Sequence, residues 1–182
     1  MAKDVKKIAI IGASGFGREV ADIALDLGYE EVVFLSKDVD NIKVLAFPVV
    51  EECLGEVEKL QNKRFDFAIG IGDPTIRKKI SEKYSFLNYP NIIHPSVSFG
   101  YLQRAALTEC RGNIIAAGCR FTNNIVFGNF GIFNINTAVG HDCQISDFVS
   151  VMSNVVVSGN VSLGLRSEER RVGKEWRSRV WE

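Results

Sequence analysis

Gly12-Ala13-Ser14-Gly15-Phe16-Gly17 lies between an apolar run, Ile8–Ile11, and a helix-patterned segment from about 18 to 27. Backbone N–H groups at such a strand-to-helix turn, backed by the helix dipole, can hold a phosphate or diphosphate whatever the rest of the ligand is. A second glycine-bearing strand end, Gly70–Asp73, follows the strand-like "FDFAIGIGD". In open parallel sheets ligands gather outside the carboxyl ends of the strands, so both loops belong on one rim. The candidate binding residues of this half are Gly12, Ser14, Gly15, Phe16, Gly17, Gly72 and Asp73.

Spacing argues against a dinucleotide there. The fingerprint is G-x-G-x-x-G, whereas this loop runs G-x-x-G-x-G, which puts the close-approach and helix-packing glycines out of place. The second strand, Val32–Leu35, is followed by Ser36 and Lys37, with Asp38 arriving late for a ribose contact. No NAD is expected, and a tight turn without a ligand is the plain alternative.

The elements that must position these loops alternate. After Val32–Leu35 come a possible strand near 44–50, the helix-like "EECLGEVEKL", the strand before Gly70 and then "PTIRKKISEKY", whose Pro74 suits a first helical turn. Lys78, Lys79 and Lys83 read as its solvated face and C-terminal end. Strands alternating with helices predict an α/β, Rossmann-like domain with a small parallel sheet over residues 1–90.

The second half follows a different period. Ile115, Phe121, Phe127, Phe133, Val139, Ile145, Val151, Val157 and Leu163 recur every sixth residue. With 46% of the chain apolar, nine hits in one frame would arise by chance on the order of once per thousand. The residue after each is usually small or turn-prone, and a second inward slot carries Cys119, Ile125, Gly131, Thr137, Cys143, Val149, Val155 and Val161. Six residues make a short strand plus a turn, three such units close a triangular coil, and the period excludes a helix or coiled coil. A left-handed parallel β-helix is predicted over 91–165, its first coil irregular because the frame fails at Gln103 and Glu109.

The pieces "IIGASGFG", "AIGIGDPTIRKKI", "NIIHPSV" and "NINTAVGHDCQISDFV" together resemble the bacterial sugar acetyltransferases, a group that includes sialic acid O-acetyltransferases and the N-acetyltransferase of the bacillosamine pathway. The resemblance spans about 7–163, and its most diagnostic piece is the H-D/E-C element inside a hexapeptide array. It implies an acetyl-CoA-dependent transferase for surface glycan synthesis: a homotrimer whose first domain binds the sugar or nucleotide sugar and whose co-substrate lies between neighbouring β-helices. It implies that His141 is the general base, Asp142 its orienting neighbour, Gly159 the backbone N–H that supports the oxyanion, and Asn134 an acceptor contact. A lone histidine is most often structural, but His141 falls outside the inward frame. His94, before Pro95, is expected to be structural, and Cys143 to pack as a small hydrophobe. Asn123-Asn124 and Asn134-Ile135-Asn136 can be read as turn residues only.

This sequence departs from the N-acetyltransferase branch at Phe16, where that branch has histidine, at Ser36 and Lys37, where it has two acids, and at Gly140, which replaces an acid. The acceptor therefore stays open between a sugar acid and an amino or nucleotide sugar. An oxidoreductase-like NAD(P) domain and a non-catalytic trimerising scaffold are the alternative functions.

Balanced charge, 22 basic and 22 acidic residues, gives no field favouring nucleic acid. Four scattered cysteines without a C-x-x-C pair suggest reduced thiols and a cytoplasmic protein, and no metal site or membrane span is expected. Beyond Leu163 the frame meets Glu169 and Glu175, and 166–182 resembles a translated sequencing-library adapter joined to a truncated frame. On that reading the β-helix is cut short at its C-terminus, and the chain as written is expected to be poorly soluble and weakly active or inactive.

Overall fold

A computed structural model of the chain describes residues 5–39 and 43–169. Its first unit runs β1 (Lys7–Ile11), α1 (Gly15–Asp26), β2 (Glu31–Ser36), β3 (Lys43–Val44), β4 (Phe47–Glu51), α2 (Leu54–Asn62), β5 (Asp66–Ile69) and α3 (Pro74–Lys83). The sheet order is β3-β4-β2-β1-β5, parallel except for the edge pair β3 and β4. Side-chain alternation along β1 sets the layers. Ile8 and Ile10 pack with Val20, Ala21 and Ala24 of α1, whereas Ala9 and Ile11 pack with Val57 and Leu60 of α2 and Ile80 of α3. The single strand expected near 44–50 is instead a hairpin, with Leu45 and Ala46 at φ 50° and 68° in its turn. Such turns ordinarily take Asn-Gly or Gly-Gly, so Leu-Ala gave no signal for it.

From Ile92–Ile93 onward, two-residue strands pair in parallel with the strand one coil later. Residues 114–115 pair with 132–133, 120–121 with 138–139, and 126–127 with 144–145, each offset by one coil. Three faces thus alternate around a parallel β-helix. All nine residues of the period-six frame are at most 8% exposed and form one core. Among them Phe121, Phe127 and Phe133 meet edge-on, with ring centroids 5.1–5.9 Å apart.

In the first coil a short helix, α4 (Gln103–Ala106), and a 3-10 turn (Leu107–Glu109) replace the third-face strand. The Gln103 amide takes over that strand's hydrogen bonds, Nε2 donating to Ile125 O at 2.7 Å and Oε1 accepting from Ile125 N at 2.9 Å. The apolar frame fails at Gln103 and Glu109 for this reason.

A second register of six sits at the corners. Residues 112, 118, 124, 130, 136, 142, 148, 154, 160 and 166 all have φ between 55° and 73°. Glycine and asparagine tolerate that conformation, which accounts for Gly112, Gly118, Asn124, Asn136, Asn154 and Asn160. Phe130 and Phe148 adopt it as well and stack with centroids 5.3 Å apart.

The first face carries the α/β unit. Ile92 and Ile114 project outward from it into the α1-side core, and Phe130 and Phe148 enter the core on the α3 side. Outward residues on other faces, such as Val126 and Val156, are 62% and 65% exposed. Past Leu163 the side-chain frame stops, but Glu168–Glu169 still pairs in register with Ser150–Val151. Parallel backbone bonding needs no apolar side chain, so this pairing is compatible with the expected foreign tail from 166. Residues 170–182, the rest of that expectation, lie outside the described residues.

Candidate functional site

The two glycine loops meet on one rim. Gly12 N donates to Leu35 O and Gly70 N to Ile11 O, each at 2.8 Å, so each loop leaves the sheet beside the other. A β-carbon on Gly17 would collide with the Gly12 carbonyl, and one on Gly70 would lie 2.7 Å from Gly17 Cα. Gly17 is therefore a helix-packing glycine, a role that the G-x-x-G-x-G spacing reads as leaving unfilled. Gly72, by contrast, faces open space, and a β-carbon on Gly15 would meet only Arg18 Nη2, at 3.9 Å. Ser14 is the N-cap residue of α1 but makes no side-chain capping bond. Asp73 caps α3, its Oδ1 accepting from Thr75 N at 2.8 Å and Ile76 N at 2.9 Å, so that oxygen is committed to the helix.

Between this rim and the coils lies a cleft of about 220 Å³. Phe16, Glu19 and Gly72 form one wall, and Ile132, Asn134, Ile135, Met152 and Ser153 form the other. Phe16, Gly72 and Asn134 were expected from the sequence and are brought together. Asn134 Nδ2 sits 3.5 Å from Met152 Sδ. Glu19, Ile132, Ile135, Met152 and Ser153 were missed. Glu19 lies one helical turn from Phe16, and Met152 is the large residue in a column of small ones; both were signals in the sequence.

His141 and Asp142 occupy another corner. Asp142 takes one of the positive-φ positions, at 60°. Its Oδ2 lies 2.6 Å from His141 Nδ1, and its Oδ1 accepts from Asn124 Nδ2, also at 2.6 Å. Those two bonds, Asn124's first and then His141's, hold the Asp142 carboxyl below the usual carboxylate range. The neighbouring backbone is fixed from both sides: Asp142 N donates to Asn123 O at 3.1 Å, and Asn160 N to His141 O at 2.8 Å. The ring itself is 61% exposed. Gly159 stands against its Nε2 edge, and a β-carbon on Gly140 would lie 2.5 Å from Gly159 N. A side chain at 140 would therefore press on the backbone of the next coil.

Asn134 opens the corner after the first face and His141 stands in the corner after the second, so within one chain the cleft and the histidine do not line a common cavity. His94 ties the two units together, Nε2 pairing with Asp26 Oδ2 at 3.0 Å while Nδ1 accepts from Ser96 N at 3.0 Å. Cys143 is buried and its Sγ donates to Ser158 O at 3.2 Å. Among the described residues no group of three or more His, Cys, Asp or Glu could hold a metal ion, and no helix is long and apolar enough to cross a membrane.

A doubly wound α/β unit feeding a parallel β-helix, with a His-Asp pair on a coil corner, is the architecture of hexapeptide-repeat acyltransferases. Comparison narrows the class. The PglD N-terminal domain family matches residues 7–84. The acetyltransferase domain of PglB from Neisseria gonorrhoeae FA1090 is 31% identical over 90% of this chain and 78% of that one, with a TM-score of 0.76. The same domain in complex with acetyl coenzyme A matches with 28% identity over 91% and 79% of the two chains and a TM-score of 0.78. A mutant perosamine N-acetyltransferase from Caulobacter crescentus, in complex with CoA and GDP-perosamine, shares the fold at 22% identity, over 91% and 77% of the chains, with a TM-score of 0.78. The chain belongs to the bacterial sugar acetyltransferase family.

Proposed function

We propose that this protein transfers an acetyl group from acetyl-CoA to an amine or hydroxyl of a sugar acid, amino sugar or nucleotide sugar, with His141 as general base. The observation that carries the reading is the fixed imidazole: Nδ1 is held by a carboxylate that is itself held by Asn124. With the Nδ1 proton shared toward Asp142, Nε2 is the nitrogen left to act. As the acceptor attacks the thioester carbonyl, Nε2 takes its proton, and the Gly159 N–H supports the oxyanion. Collapse of the tetrahedral intermediate breaks the C–S bond, and the imidazolium returns the proton to the departing thiolate.

The cleft beside Phe16, Gly72 and Asn134 is the acceptor site of this proposal, with Gly12, Ser14, Gly15, Gly17 and Asp73 building its rim. Residues 1–90 serve as the sugar-binding domain and 91–165 as the transferase domain, a left-handed β-helix. Separation of the cleft from His141 within one chain supports a homotrimer in which a neighbouring copy completes the site, the co-substrate lying between β-helices. The nucleotide sugar and CoA bound to the Caulobacter enzyme, and the acetyl coenzyme A bound to the Neisseria domain, support these ligand classes. A cytoplasmic location follows from where acetyl-CoA is made.

Thiol release from acetyl-CoA, measured against sialic acids and UDP-amino sugars, tests the reading. Turnover with at least one acceptor, lost in His141→Ala while the assembly persists, is the expected result. Turnover that survives His141→Ala rejects the base, and NADH binding in place of acetyl transfer favours the oxidoreductase alternative.

A further inference from the structure

Arg77 is fully buried on α3, and every N–H of its guanidinium is used. Nη1 donates to Gly72 O at 2.8 Å and Ile71 O at 3.1 Å, in the loop that forms one wall of the cleft. Nε donates to Phe130 O at 2.8 Å, and Nη2 to Phe148 O at 3.0 Å and Ser150 Oγ at 2.9 Å. Phe130 and Ser150 each stand two residues before a residue of the opposite wall, Ile132 and Met152 respectively. Burial lowers the guanidinium pKa to about 10, against the pull of Asp73 and Glu168, which leaves it charged at neutral pH.

Four of its five acceptors are backbone carbonyls at fixed turns, so the planar fork measures the distance between two elements far apart in sequence. We infer that Arg77 is a positioning residue, tying the Gly72 loop to two successive coil corners and so setting the spacing of the cleft walls and the place of the acceptor between them. The clause about the acceptor rests on the cleft being the acceptor site proposed above. Phe130 and Phe148 fit this role, because these two coil corners present both carbonyls to one guanidinium.

The test compares wild type with Arg77→Lys, which keeps the charge but loses the fork, and with Arg77→Met, using Lys79→Ala on the exposed side of the same helix as control. Among folded proteins, Arg77→Lys is expected to raise the KM for the sugar about tenfold, since small misplacements of a substrate carry costs of that order or larger. KM for acetyl-CoA and kcat should stay within about twofold, and Arg77→Met should be worse than Arg77→Lys. Unchanged constants, or constants that fall together with the folded fraction, overturn the inference. If wild type acetylates no sugar, the acceptor reading has failed, and amide hydrogen exchange decides the tie itself. Faster exchange in Arg77→Lys confined to residues 70–76, 130–136 and 148–154 supports it; uniform or unchanged exchange overturns it.

Discussion

Gly159 stands so close to the His141 ring that a β-carbon there would lie 2.7 Å from Nε2. A methyl at that distance forces a shift, and the exposed imidazole can give way more easily than the coil can. Gly159→Ala should therefore swing the ring off its position with little loss of stability. Acetyl transfer is expected to fall by about 100-fold, with the thermal midpoint within a few degrees of wild type. Undiminished transfer by the folded variant would show that the Nε2 edge is not where the chemistry occurs.

Asn124 and Asp142 occupy the same corner in successive coils, and their 2.6 Å bond is the main reason the carboxyl is held down. A depressed carboxyl contributes stability above its unfolded pKa and loses it as pH falls through the folded value. Asn124→Ala should raise the Asp142 pKa toward the ordinary carboxylate range. A carbon NMR titration of the Asp142 carboxyl follows the shift directly. An unmoved titration would mean that His141 alone holds the carboxylate.

Gly17 and Gly15 separate packing from open space in the same loop. Gly17→Ala pushes a methyl into the Gly12 carbonyl and against the Gly70 strand end, and overpacking of this kind costs about 1–3 kcal/mol. Gly15→Ala meets only Arg18 Nη2, at 3.9 Å, and should be neutral or slightly stabilising. Urea unfolding of the two variants measures the contrast, and equal stabilities would contradict the packing described for Gly17.

What the sequence revealed depended on whether a feature lay in one side-chain register. The period-six frame from Ile115 to Leu163 is such a register, and all nine residues are core. The glycine rim and His141-Asp142 were legible because their residue types are unusual at those positions. Arg77 was hidden inside a helix that read as a lysine-rich solvated face, since its partners are backbone carbonyls 53 and 71 residues away, and carbonyls leave no trace in residue identity. The hairpin at Leu45-Ala46 and the coil corners at Phe130 and Phe148 were equally silent, because their backbone departs from what their side chains prefer. At Gln103 one amide does a strand's hydrogen bonding, so a break in the pattern did not become a break in the coil.

Cys119 offers a pH test of the β-helix core. Burial raises its thiol from about 9 to about 11, despite the opposing hydrogen bonds around Thr137. Between those values the unfolded chain has lost the proton while the folded chain keeps it, so unfolding releases a proton and stability falls as pH rises. That difference corresponds to about 2–3 kcal/mol, fully present below pH 9 and lost by about pH 11. Tyr29 and Tyr89 are also raised by burial and share this sign, so the measurement must be a difference between proteins. Urea unfolding at pH 8 and pH 10.5 should show a drop in wild type that is smaller in Cys119→Ala. Equal drops in the two proteins would place the titrating group elsewhere.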